Sequence, residues 1–141
     1  MRDVKVERVD VWVAGLRDEP GALAETLSAL HDGGADLDFI IARRSDQDPG
    51  AVVFLTPLTS DAEVDAAARL GFTATNHLHS VRVEGDNQAG VAARITKQLA
   101  QEGFNLRGFS GAVLGERYIL YIGFDSAADA DRAVAVLRDP D

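Results

Sequence analysis

The 141-residue sequence predicts an α+β chain built from two copies of one βαββαβ unit, the second copy ending before its last strand. Three observations predict it. The chain repeats itself: Val11, Val13 and Gly15 match Val81, Val83 and Gly85 at an offset of 70. After a one-residue deletion, Gly21, Ala24, Leu30, Gly34 and Leu37 match Gly90, Ala93, Leu99, Gly103 and Leu106 at an offset of 69. Each copy also alternates strand-like segments of period two with segments whose apolar residues recur at helical spacing. Finally, the chain is 46% hydrophobic and lacks Cys, so the fold rests on a buried core and not on disulfides.

In the first copy Val9, Val11 and Val13 alternate with Asp10, Trp12 and Ala14, as a strand does. Pro20 and Gly21 open a helix, Pro being tolerated where its missing N–H has no intrahelical partner. Leu23, Leu27 and Leu30 form its apolar stripe, with Glu25, Ser28, His31 and Asp32 facing away. Gly33 and Gly34 stop it. A strand follows at Leu37–Ala42, a turn at Asp48-Pro49-Gly50, a third strand at Ala51–Thr56, and a helix at Asp61–Leu70 capped by Ser60 or Asp61. A weak fourth strand is expected at Phe72–Thr75. The second copy predicts a strand at His79–Glu84, a helix at Ala89–Glu102 with Val91, Ile95 and Leu99 inward, strands at Leu106–Val113 and Arg117–Phe124, and a helix at Ala127–Leu137. This is the order of two ferredoxin-like units, divided as residues 1–75 and 76–141, each with an antiparallel sheet and helices on one face.

Charge and composition narrow the function. Lys and Arg number 14 against 23 Asp and Glu, a net charge of −9, which argues against nucleic acid and anionic membrane surfaces as partners. No apolar run approaches the length of a bilayer span, and no signal-peptide stretch follows Met1, so a cytoplasmic location is expected. The absence of Cys excludes thiolate metal sites and Cys nucleophiles. An RNA-recognition motif would need stacking aromatics on a basic surface, and a metallochaperone a Cys pair. Arg17 could serve an acylphosphatase-like phosphate loop, but Asp86 stands in that region of the second copy. No Ser/His/Asp arrangement or phosphate loop is recognisable, and neither an enzyme nor a cofactor is expected.

The segment Arg17-Asp18-Glu19-Pro20-Gly21-Ala22-Leu23-Ala24, with Leu30, Gly34, Asp36 and Leu37 downstream, resembles the ACT domain. The second copy carries the pattern as Asn87-Gln88-Ala89-Gly90-Val91-Ala92, then Gly103-Phe104-Asn105-Leu106. Gly21 to Asp36 and Gly90 to Asn105 are both 15 residues. The resemblance spans residues 7–138 and departs from the family at Ala89 for Pro, at the acids 18 and 36 for Asn, and at the missing last strand. It implies a stand-alone tandem pair, side by side, that binds a free amino acid between its two copies and signals to a separate metabolic enzyme or regulator. It leaves room for a homodimer.

The residues support the ligand proposal on their own chemistry. A ligand carboxylate suits the open backbone N–H groups of a helix start, and Gly21 and Gly90 let it approach the backbone. An ammonium suits Asp18, Asp36, Asn87 or Asn105. The ligand-binding candidates are therefore Asp18, Glu19, Pro20, Gly21, Ala22, Leu23, Asp36, Asn87, Gln88, Ala89, Gly90, Val91 and Asn105. The family arrangement implies that Asp18 pairs with Asn105 and Asn87 with Asp36; Asp18 with Asp36 would instead make a doubly acidic site. The simpler alternative is that Asp18 and Asn87 are helix N-caps. An adaptor that binds another protein with no ligand is the competing function. Elsewhere, His77 and His79 lack a third metal ligand in the sequence and read as a surface pair. Asp46 and Asp48 read as a solvated hairpin turn, Trp12 as sheet packing, and Arg43-Arg44 as a solvated pair.

Overall fold

The computed structural model describes residues 4–138. Its elements are β1 (Lys5–Arg17), α1 (Ala22–Asp32), β2 (Phe39–Arg44), β3 (Gly50–Thr56), α2 (Asp61–Arg69), β4 (His77–Asp86), α3 (Val91–Gln101), β5 (Gly108–Leu114), β6 (Arg117–Phe124) and α4 (Ala127–Arg138). This is the α+β class the repeat predicts. Contacts divide the chain into two units, residues 10–78 and residues 4–9 with 79–138.

In residues 10–78 the strands run in the order β2-β3-β1. Both pairings are antiparallel, with Phe39 opposite Thr56 and Trp12 opposite Leu55. Leu30, Val53, Leu55, Ala67 and Phe72 form the centre of its core, with Trp12, Leu23 and Leu27 half-buried around them. The line of α1 that meets this core is Ala22, Thr26 and Leu30. The small residues let the helix sit close, while Leu23 and Leu27 reach in from its flank. Helix α2 begins with a full capping box, Ser60 and Glu63 each bonding the other's backbone N–H. It ends in a Schellman-type stop, Phe72 N–H donating to Ala67 O (3.0 Å) and Gly71 N–H to Ala68 O (3.2 Å). That stop consumes the segment expected as a fourth strand. Phe72 is the apolar residue that locks the helix end and is buried, and a 3₁₀ turn at Ala74–Asn76 follows.

In residues 4–9 and 79–138 the strands β4-β6-β5 form the corresponding antiparallel sheet, with Val81 opposite Ile122 and Gly111 opposite Leu120. Val91, Ile95 and Leu99 of α3 are all buried, as the helical spacing predicts. They pack with Val81, Val83, Leu120, Ile122, Phe124 and Ala133. The place beside β4 where a fourth strand of the second copy would pair is taken by the N-terminal part of β1. Residues 5–9 of β1 flank β4, Val6 enters this core, and Arg138 donates twice to Val6 O at 2.7 and 3.1 Å.

The repeat is more regular than the sequence match suggests. Arg17 and Asp86 end β1 and β4 and pair with Gly50 and Arg117 respectively, so β1 and β4, like α1 and α3, correspond at an offset of 69. The valine match at 70 is a slip of one residue. Since such a slip moves every side chain to the other face, it matters for β1: Trp12 and Ala14 face the core where Val81 and Val83 face theirs. Val11 and Val13 lie on the opposite face.

Candidate functional site

The end of β1 and the end of β4 each enter the same turn. Ala22 N–H donates to Glu19 O (3.3 Å) and Val91 N–H to Gln88 O (3.2 Å). Gly21 (φ 88°, ψ −12°) and Gly90 (φ 85°, ψ 6°) have the dihedrals of the third residue of a type II turn, a left-handed position that favours glycine. Pro20 occupies the second position, where its fixed φ fits, and Ala89 fills the same place in the other copy. The Pro-Gly pair is thus a turn signal first, with the helix starting at Ala22, two residues later than Pro20 suggests. Gly21 O accepts from Glu25 N–H and Gly90 O from Arg94 N–H, each at 2.9 Å.

Glycine is therefore the N-cap of both helices, and neither has a side-chain cap bond. Asp18 and Asn87 stand three residues earlier and do not cap, which corrects the simpler reading of them. Helix geometry leaves the first-turn N–H groups of Leu23 and Ala24, and of Ala92 and Ala93, without intrahelical partners at the positive end of the dipole.

Each loop is held by its own contacts. Asp18 accepts from Arg44 Nε at 3.3 Å, both side chains being largely exposed. Glu19 pairs with Arg17 at 3.3 Å, and Arg17 also reaches Glu25. In the second copy Asn87 N–H donates to Glu116 O at 2.8 Å, tying the loop to the β5–β6 turn. Gly85 lies against the Tyr118 ring, where a Cβ would fall 2.8 Å from the ring. Pro20, Gln88 and Ala89 are exposed, while Ala22 and Val91 turn inward.

Asp36 and Asn105 are exposed and lie beyond the C-terminal ends of α1 and α3. Each helix has 11 residues and rises ~16 Å. Within one copy, then, Asp18 and Asp36 stand at opposite ends of a helix, as do Asn87 and Asn105. The doubly acidic site within the first copy does not form.

Sequence reasoning missed two electrostatic features. One is the Arg44–Asp18 contact, made because β2 runs back along β3 to end beside the β1 turn. The other is a charged ladder leading into the Asn87 loop. Arg82 donates to Glu84 (2.8 Å) and to Tyr121 Oη (3.1 Å), and Arg117 bridges Glu84 (3.3 Å) and Asp86 (2.8 Å). Hydrogen bonding from Arg82 holds the Glu84 carboxyl below its usual range against the opposing effect of burial, and Arg117 adds to it. The alternation of Arg82, Glu84 and Asp86 on one strand face was the available signal. The first copy has Val13, Gly15 and Arg17 there.

The remaining polar groups fall where their residue types predict, with one exception. Residues 46–49 form a hairpin turn, with Gly50 N–H on Gln47 O (2.7 Å) and Ser45 N–H on Gly50 O (2.8 Å). The Trp12 ring packs against that of His77, with centroids 5.6 Å apart. The exception is the histidine pair: His77 Nε2 lies 3.8 Å from Asp10 Oδ1, an acid that no sequence signal places there.

No family model matches the chain, and no curated protein does. Solved structures do match over nearly its whole length. A protein of Bacteroides thetaiotaomicron is similar at 16% identity and a TM-score of 0.78, covering 95% of this chain and 89% of the other. The ligand-free regulatory subunit of aspartate kinase from Thermus thermophilus is similar at 18% identity and 0.65, covering 98% and 95%. The same subunit from Thermus flavus is similar at 22% and 0.57, covering 94% of each. At these identities the likeness concerns the fold, which this chain shares with aspartate kinase regulatory subunits.

Proposed function

We propose that this chain is a regulatory module that binds a free amino acid through its two helix-start loops and signals to a separate metabolic enzyme or regulator. One observation carries the reading. The same type II turn, with a polar residue three positions before a glycine N-cap, occurs twice. In both copies that polar side chain makes no cap bond, and helix geometry leaves the first-turn N–H groups open. Asp18 in one loop and Asn87 in the other are the ammonium acceptors. The backbone at Gly21-Ala22-Leu23 and Gly90-Val91 receives the ligand carboxylate. Glu19, Pro20, Gln88 and Ala89 shape the loops, and Asp36 and Asn105 supply the remaining polar contacts of the two ACT-like domains, residues 1–75 and 76–141. The fold shared with aspartate kinase regulatory subunits supports regulation over catalysis.

A thermal-shift screen with the twenty amino acids tests this. A ligand at a hundred times its Kd stabilises by ~2.7 kcal/mol, or about 9 °C for a chain of this length. A flat response to all twenty at millimolar concentration overturns it. The adaptor reading would then stand on the exposed apolar residues Phe109, Val113 and Leu114 of β5.

A further inference from the structure

We propose that β5 is a self-association edge, at which two copies of this chain pair their β5 strands antiparallel about a two-fold axis centred on Gly111. Among the described residues β5 pairs on one side only, with β6. A strand in that position turns alternate backbone N–H and C=O groups outward, ready for another strand. The apolar layer of the core also runs out to this edge. Phe109, Gly111 and Val113 stand opposite Ile122, Leu120 and Tyr118, all buried in the core of residues 4–9 and 79–138. Phe109 and Val113 nevertheless remain 39% and 55% exposed. At Gly111 the layer is kept continuous by Leu120, whose Cδ2 would lie 2.6 Å from an added Cβ. The edge strand of the other unit is built differently. There β2 ends in Arg43-Arg44, both exposed, and charge on an edge keeps other strands off. No residue of 108–114 is charged, in a chain that is 26% charged.

The sequence of β5 says which partner the edge fits. In an antiparallel pair centred on Gly111, Phe109 faces Val113 of the second copy, and Val113 faces Phe109. An aromatic residue opposite a β-branched one is a favourable cross-strand pair, and the symmetry makes it twice. Gly108 faces Leu114 and Ser110 faces Ala112, so no like charges meet. One residue outside the strand, Arg107 faces Gly115 and lies beside Glu116 of the second copy, again at both ends. Within one copy Arg107 makes only a loose contact with Asp125, at 3.1 Å with both side chains more than half exposed, which a contact across the axis can replace. A closed two-fold contact needs one self-complementary patch, and this strand is self-complementary. The patch is small. Phe109, Val113 and Leu114 together expose well under the ~800 Å² per partner that a stable complex buries, so the association is weak and concentration-dependent. It does not rest on the amino-acid reading.

A charge exchange across the axis makes the test specific. Sedimentation equilibrium of the full-length protein from about 10 μM to about 1 mM should show the mass rising from 15.0 kDa toward twice that value. F109E and V113K should each weaken association at least tenfold, because each sets a charge against an apolar residue at two places. Mixed in equal amounts, the two variants should associate again within severalfold of the parent. In the mixed pair the two introduced charges face each other at one end, and Val113 faces Phe109 at the other. A monomer throughout the range overturns the proposal, as does unchanged association in both variants. Failure of the mixture to recover overturns the register centred on Gly111. The unmodified protein gives an independent readout if a variant misfolds. Amides among residues 108–114 should exchange with solvent more slowly at the high concentration than at the low one, while those of residues 39–44 keep their rates. Equal rates in 108–114 at both concentrations, or slowing confined to 39–44, would refute the edge.

Discussion

Ala89→Pro should stabilise the protein, because the structure assigns Ala89 the role that Pro20 has in the other copy. Both precede a glycine at φ near +85° to +88° in a type II turn. Pro is favoured at that second position, and Gln88 would then precede a proline as Glu19 already does. No backbone bond of the turn uses the Ala89 N–H; the turn is closed by Val91 N–H on Gln88 O. Fixing φ in the unfolded chain is worth about 0.4–1 kcal/mol where the folded backbone is compatible. With an unfolding entropy of ~2.1 cal/mol/K per residue, a 141-residue chain changes Tm by about 3 °C per kcal/mol. Calorimetry should therefore show Ala89→Pro raising Tm by ~1–3 °C and Pro20→Ala lowering it by a similar amount. Gly90→Ala is the companion. Nothing lies within 4 Å of the Cβ it would add, so its cost is the left-handed backbone alone, about 1–2 kcal/mol or ~3–6 °C. A fall in Tm for Ala89→Pro, or a neutral Gly90→Ala, would refute the turn assignment and with it the equivalence of the two loops.

Leu30 and Leu99 are matching residues at 0% exposure in the cores of their respective units, so Leu→Ala at either should cost about 2.7–5 kcal/mol in urea titration. Ser60→Ala removes the α2 cap and should cost ~1 kcal/mol, with Ser60→Gly less harmful. Glu63 provides a pH signature. Its carboxyl sits below the usual range chiefly because Thr59 N–H donates to it, with the Ser60 hydroxyl next. A lowered folded value contributes stability that is present above the unfolded carboxyl range and is lost as pH falls through the folded value. Glu63→Gln should therefore lose less stability than the parent as the pH falls below about 4.5, measured as denaturation midpoints across the acid range.

The helical half of the fold was legible because α3 has its apolar residues at strict spacing, Val91, Ile95 and Leu99, and because glycines mark both ends. The sheet was less legible. In β1 both faces carry apolar residues, so valines 9, 11 and 13 are as good a candidate core face as Trp12 and Ala14, and only cross-strand register decides between them. Phe72 misled for a related reason: a buried aromatic after a helix reads as a strand when it is the apolar lock of a helix stop. Asp10 was invisible as a neighbour of His77 because 67 residues separate them, and no local pattern encodes a contact of that range.

The candidate loops were found by spacing, yet spacing could not show that the first is already occupied by a cation of the protein's own. Arg44 places a guanidinium nitrogen 3.3 Å from Asp18, where a ligand ammonium would bind. The pair is a loose one, with side-chain exposures of 86% for Arg44 and 48% for Asp18, so it contributes no more than about 0.2–1 kcal/mol. A ligand can displace it, and removing it should return that amount to binding. Arg44→Gln is therefore expected to tighten amino-acid binding at the first loop by up to about fivefold, the equivalent of 1 kcal/mol. Asp18→Asn, which makes the first loop resemble the second, should weaken it. Raising the ionic strength should shrink the Arg44→Gln effect, because exposed charges are screened. Calorimetric titration of the amino acid found in the thermal-shift screen measures all three. If Arg44→Gln weakens binding, Arg44 contacts the ligand itself, most simply its carboxylate, and the assignment of Asp18 as ammonium acceptor would have to be abandoned.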